Sequence, residues 1–170
     1  MRILLLLLLP SLCFAKEVEY FNYKFNIPNN YSIHNNGKPL HPSSNAIHIT
    51  KDGKGIAMIQ LVDKEKKNFF SLKDYGAKSY RELFYVIFTD VPSDNEAVKE
   101  LREFDDKYDL QKFEISERDN FVFFKSNNPM NLVGEVKILV STPSNDEVIN
   151  ISLSSDDKLE KSILDSIEVK

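Results

Sequence analysis

At 170 residues, with 42% hydrophobic and 28% charged side chains, the chain is long enough for one domain around one buried core. Its 22 basic and 26 acidic residues give a formal net charge of −4 at pH 7, which removes the electrostatic basis for binding nucleic acid or anionic lipid. A single cysteine excludes a disulfide framework and a cysteine-rich metal site.

The first fifteen residues read as an export signal. Arg2 supplies the positive region, Ile3 to Leu9 the apolar stretch, and Cys13-Phe-Ala15 a small-x-small cleavage box. Cleavage between Ala15 and Lys16 is therefore expected, leaving a single domain over residues 16–170. A membrane anchor would need about 20 apolar residues, and this run is interrupted at Pro10-Ser11, so no transmembrane segment is expected in the mature chain. Lipidation of Cys13 is disfavoured by the bulky Leu12, where lipid attachment needs a small residue. Cys13 leaves with the signal, and the mature chain is thiol-free. Such a composition suits a bacterial periplasmic or secreted protein better than a eukaryotic secreted domain, which would often be stapled.

Glu19 to Asn26 alternates aromatic and polar residues through Phe21, Tyr23 and Phe25, the period of a half-buried strand. Ile27-Pro28-Asn29-Asn30 ends it, Tyr31 to Ile33 restarts a short strand, and His34 to Asn45 reads as a loop. Ala46 to Thr50 and Ile56 to Val62 form an expected hairpin around Lys51 to Gly55. Ser71 and Asp74 resemble a capping box opening a helix that carries Leu72, Tyr75, Tyr80, Leu83, Phe84 and Ile87. Ser93 and Glu96 have the same spacing before a second apolar stripe of Ala97, Val98, Leu101, Phe104 and Tyr108.

Strands return after that. Leu110 to Ser116 and Asn120 to Lys125 read as a hairpin across Glu117-Arg118-Asp119. Val133 to Val140 alternates, with Val136, Ile138 and Val140 opposite Glu135, Lys137 and Leu139. Val148 to Leu153 is a further strand, and Ser154 to Asp157 caps a last helix with Leu159, Ile163, Leu164 and Ile167 on one face. Strands joined by short turns predict an antiparallel sheet, and strands apolar on both faces predict cover on both. The expected class is α+β: an antiparallel sheet flanked by helices on both faces, an α/β/α sandwich.

Candidate chemistry is sparse. His34, His41 and His48 are seven residues apart, but two fall in a loop and no cysteine or HExxH pairing supports a metal. There is no GxSxG elbow and no SxxK motif. No catalytic residue, cofactor or metal is assigned. The densest acidic stretch, Glu100 to Asp109, offers a docking patch for a basic protein partner. Its members are Glu103, Asp105, Asp106 and Asp109, with Phe104 and Tyr108 as anchors.

Three places resemble a known family. Tyr23-Lys-Phe-Asn-Ile-Pro28-Asn-Asn-Tyr31 resembles the opening strand and Pro-x-x-aromatic of the PsbP/Mog-like superfamily, which includes the DcrB-like bacterial periplasmic proteins. Phe70 to Tyr75 is similar to the start of its central helix, and Ile163 to Lys170 to its closing helix and Ser-hydrophobic-x-hydrophobic-Lys end. Where the family usually has Trp after the proline, this chain has Tyr31. The resemblance implies a PsbP-like sandwich and a mostly non-enzymatic role in binding proteins, such as photosystem subunits, a small GTPase or secretion-system effectors. It carries no functional residue across. The resulting expectation is an exported, non-enzymatic protein-binding module of the bacterial envelope, such as an immunity or adaptor protein. The alternative is an envelope hydrolase or small-ligand-binding protein using carboxylates and His48.

Overall fold

The computed structural model describes residues 15–35, 38–39, 46–63, 72–108, 113–126, 136–142 and 147–170, with 38–39, 63 and 104–108 described by their backbone. The strands are β1 (Ala15–Tyr20), β2 (Tyr23–Pro28), β3 (Ser32–Asn35), β4 (Lys38–Pro39), β5 (Ala46–Lys51), β6 (Lys54–Asp63), β7 (Phe113–Arg118), β8 (Phe121–Ser126), β9 (Val136–Ser141), β10 (Glu147–Leu153) and β11 (Glu168–Val169). The helices are α1 (Tyr80–Phe88), α2 (Glu96–Tyr108) and α3 (Asp157–Ser166). Eight strands form one antiparallel sheet in the order β4-β3-β5-β6-β10-β9-β8-β7, and β1-β2-β11 form a second.

Alternating side chains on the large sheet feed two separate cores. Ile47, Ile49, Ala57, Ile59, Phe121, Phe123, Ile138, Val140, Ile149 and Ile151 meet the small sheet (Val18, Tyr20, Tyr23, Phe25) and α3 (Leu159, Ile163). From the opposite parity, Val62, Val122, Phe124, Leu139 and Val148 meet α1 through Tyr80, Leu83, Phe84 and Ile87. The fold is thus mixed α+β and mostly antiparallel, with Val136, Ile138 and Val140 sharing a face as expected.

The elements differ from expectation where local signals compete. Glu19 to Asn26 is a hairpin rather than one strand, because the chain turns at Phe21, which adopts φ 53. Tyr20 and Tyr23 face each other across that turn, as do Val18 and Phe25, so the buried positions pass from even to odd numbers there and Phe21 drops out of the alternating face. The first long helix starts at Tyr80 and not at Leu72. Leu72 to Gly76 is a turn with Gly76 at φ +66, and Ser71 lies outside the described residues. Ser79 is the cap: its side chain accepts from the Glu82 N–H, while Glu82 reaches back to the Lys78 N–H at 2.7 Å. Likewise α2 is capped by Asn95, whose Oδ1 accepts from the Val98 N–H at 3.2 Å; Ser93 instead accepts from the Asn95 N–H. The tight turns sit at Asp52-Gly53 and Asp119-Asn120, all four residues at positive φ, which is the backbone of a two-residue hairpin turn. The expected loop after His34 contributes β4, and residues 40–45 lie outside the described residues.

Long side chains complete what the ladders leave open. Where β11 stops pairing with β2, Ser166 Oγ accepts from the Asn26 N–H at 2.7 Å and Ser162 donates to the Asn26 carbonyl at 3.0 Å. The Tyr20 hydroxyl accepts from the Leu61 N–H at 3.0 Å, and burial pushes that phenol up to about 12, with the Leu61 N–H opposing the shift. Neither α1 nor α3 has a basic residue in its last turn. Arg102 supplies that charge for α1, donating to the carbonyls of Val86, Thr89 and Val91, and Arg118 does the same for α3 at Asp165 and Ile167.

Candidate functional site

Residues opposite one another in an antiparallel sheet share a face, so register extends a surface sideways across the strands. With Ala57, Ile59 and Leu61 turned into the first core, Met58, Gln60 and Val62 face the other way. Successive register partners then place Phe113, Ser126, Lys137, Ser152, Met58, His48 and His34 in one row from β7 to β3. The adjacent row is Ile115, Phe124, Leu139, Asn150, Gln60 and Ala46. At Val122, Phe124 and Leu139 this face is apolar and packs against α1. Towards β3 it changes character and becomes a strip of Lys137, Asn150, Ser152, Gln60, Met58, His48 and His34.

Strand sequences on a fully apolar face would not carry these groups, and their electrostatics set them apart. Lys137 is half-buried and has no ion-pair or hydrogen-bond partner among the described residues; burial alone holds its ammonium below the usual lysine range. Ser152 beside it is 7% exposed. Asn150 Oδ1 is buried without a hydrogen-bond partner among the described residues. His34 Nε2 lies 3.1 Å from Thr50 Oγ1, on the same side of the sheet.

Lys137 should therefore lower stability where it is charged. Replacement by methionine, which keeps the aliphatic stem, is expected to raise stability by about 1 kcal/mol at neutral pH. The penalty is full below the depressed folded-state pKa, fades as pH rises through it, and is gone above the ordinary lysine value. Urea midpoints of Lys137→Met and the unsubstituted chain should therefore converge as pH rises towards 10.5. Parallel curves would show that burial does not shift the Lys137 pKa, and a less stable variant at neutral pH would show that its ammonium is stabilising rather than penalised.

The residues singled out by sequence are scattered. Ala15 and Lys16 open β1, opposite Pro28 and Ile27, and the Lys16 ammonium donates to the Tyr31 carbonyl. Glu103 is exposed on α2; Phe104, Asp105, Asp106 and Tyr108 occupy the backbone of its last turns, and Asp109 lies outside the described residues. His48 has His34 and Met58 as its row neighbours, not carboxylates. Among the acids, Glu147 accepts from the Tyr23 hydroxyl and Asp156 from the Tyr31 hydroxyl, so both serve the fold. The polar strip escaped sequence reading because its members are up to about a hundred residues apart. The only local trace is Lys137, Asn150 and Ser152 interrupting strands otherwise built of Val, Ile and Leu.

Among the described residues no helix is long and apolar enough to cross a membrane, and no three His, Cys, Asp or Glu side chains group as metal ligands. No protein-family profile matches the chain, and no curated protein matches it. Among solved structures it is similar to the solution structure of cyanobacterial PsbP (CyanoP) from Synechocystis sp. PCC 6803, at 10% sequence identity and a TM-score of 0.46, with 95% of each chain covered.

Proposed function

We propose that this chain is an exported, non-enzymatic binding module of the bacterial envelope that recognises another protein, as an immunity or adaptor protein does. In this reading residues 1–15 are removed as a signal, and the mature domain is a PsbP-like sandwich with helices against both faces of its sheet. The observation that supports it most is the division of labour among the polar groups. Asp156, Glu147, Arg102 and Arg118 are engaged in holding elements together, whereas the acidic end of α2 carries Glu103 exposed beside Asp105 and Asp106 in the sequence. An acidic helix end presents its charge to a basic partner with long-range attraction that raises the encounter rate.

Capture from a periplasmic extract by the immobilised mature chain tests this. A protein retained by the unsubstituted chain should be lost, or weakened at least about tenfold, when Asp105→Lys and Asp106→Lys are introduced together, and its retention should fall with added salt. Equal capture by the double variant removes the acidic patch as the contact.

A further inference from the structure

We propose that His34, His48 and Met58 form a copper site on the polar face of the large sheet. His34 on β3 is the direct register partner of His48 on β5, and His48 is the direct partner of Met58 on β6. All three point away from the first core, since Ile47, Ile49 and Ile59 beside them are 0% exposed within it. Directly opposed residues bring their Cβ atoms to about 4.5–5.5 Å, a separation at which two imidazoles can close on one ion. The backbone beneath them is strand anchored by a buried core, so the donors stand on a rigid support.

None of the three is committed to holding the fold. Each side chain is half-buried, open enough for an ion to enter. The side chains of His48 and Met58 make no hydrogen bond among the described residues. The one bond of His34 runs from Nε2 to Thr50 Oγ1, which fixes the ring and, with the proton on Nε2, leaves the Nδ1 lone pair for a metal. That is the arrangement expected of a ligating histidine with an outer partner.

The donor set selects the ion. Two imidazoles alone would accept zinc, nickel or copper, but the third donor is a thioether and no carboxylate or thiolate joins the row. Thioether sulfur favours monovalent copper and is a poor ligand for zinc, calcium or magnesium. The two histidines alone can also hold divalent copper.

The test uses the full chain carrying Cys13→Ser, so that its one thiol cannot compete. Anaerobic titration with Cu(I) against a chromophoric chelator should show one ion per chain. His48→Gln and His34→Gln should each weaken it about 100-fold, and Thr50→Val about tenfold. Met58→Leu should weaken Cu(I) about tenfold while leaving Cu(II) within about twofold, a split that loss of folding would not produce. His41→Gln should change neither. Far-UV circular dichroism confirms that each variant folds. Should His48→Gln not fold, paramagnetic resonance of the Cu(II)-loaded unsubstituted histidines decides, two imidazole nitrogen couplings being the expected result. Absence of one-to-one binding, retention of affinity in His48→Gln, or loss of affinity in His41→Gln overturns the site. Unchanged Cu(I) affinity in Met58→Leu overturns the three-donor assignment.

Discussion

Phe124→Ala is expected to destabilise the domain by about 3–5 kcal/mol and to lower the melting temperature by roughly 6–20 °C. Phe124 is 0% exposed and lies where α1 docks onto β8. Its ring meets Phe84 at 5.3 Å and 72°, Tyr85 at 5.4 Å and 79°, and Phe88 at 5.9 Å, so three α1 side chains converge on one strand residue. Phe88 in turn stacks on Phe113 at 3.8 Å, which ties the edge strand β7 into the same cluster. Two of the Phe124 contacts are edge-on, the geometry in which a positive ring edge meets a negative ring face. Alanine would remove that ring and leave a cavity that α1 cannot close without losing the Phe88–Phe113 stack. Phe124→Leu retains most of the volume and should cost less than half as much. The loss should also be local, with amide exchange in α1 accelerating more than in α3, which is packed in the other core. A cost below about 1 kcal/mol would mean that α1 is not held to the sheet through this ring.

Much of this arrangement was legible from sequence because its information is local. Asp52-Gly53 falls inside the expected turn Lys51 to Gly55, and alternation on either side gives the β5–β6 hairpin. The β7–β8 hairpin is also present, but its turn is Asp119-Asn120 rather than Glu117-Arg118-Asp119, because Glu117 and Arg118 still pair with Val122 and Phe121. The parity of Val136, Ile138 and Val140 was equally plain. Sequence and structure part where several residues could play one part. Ser71, Ser79, Ser93 and Asn95 all have cap chemistry, and the choice among them depends on which turn packs against Phe124 and Leu139, a tertiary matter. The β1–β2 hairpin has the sequence pattern of a single strand because a bulky aromatic, Phe21, occupies the positive-φ turn position where Gly or Asn is usual.

The candidate sites were legible to a different degree. An acidic run is visible by inspection; its members as far as Tyr108 fall on α2, and Asp109 lies outside the described residues. The histidine pair was visible as spacing but not as geometry. The fourteen-residue interval between His34 and His48 says nothing about contact until the pairing of β3 with β5 is known, and one residue of slip would put His34 opposite a core isoleucine. Arg102 and Arg118 were unremarkable in sequence for the same reason. Their role is defined by helix ends 11–16 and 47–49 residues away along the chain.

Asp156→Ala should destabilise the domain by about 2–4 kcal/mol, because one carboxylate serves three elements at once. Its Oδ1 accepts from the Leu159 N–H at 3.1 Å and caps α3; its Oδ2 accepts from the Tyr31 hydroxyl at 2.6 Å. Lys51, at the end of β5, lies 3.7 Å from the same oxygen and 5.1 Å over the Tyr31 ring. Alanine therefore removes a cap, worth about 1 kcal/mol, and a hydrogen bond to a charged acceptor, worth about 1.5–3 kcal/mol. Burial works to raise the Asp156 pKa, but the Tyr31 hydroxyl, the Leu159 N–H and Lys51 outweigh it, and the net shift is downward from 3.8. A carboxyl with a depressed folded-state pKa contributes stability that is full above the ordinary aspartate value and is lost as pH falls through the folded one. The same bond acts in the opposite sense on Tyr31, where burial and the neighbouring carboxylate hold the phenol protonated well above its usual range. Asp156→Asn separates the contributions: its single amide oxygen can still cap α3 in place of Oδ1, while the amide nitrogen in place of Oδ2 can only donate to the Tyr31 oxygen, and the charge facing Lys51 is gone. It should cost about 1 kcal/mol at pH 7 and show a shallower fall in stability between pH 5 and pH 3 than the unsubstituted chain. Equal slopes for the two in that window would place the acid sensitivity of the fold on other carboxylates.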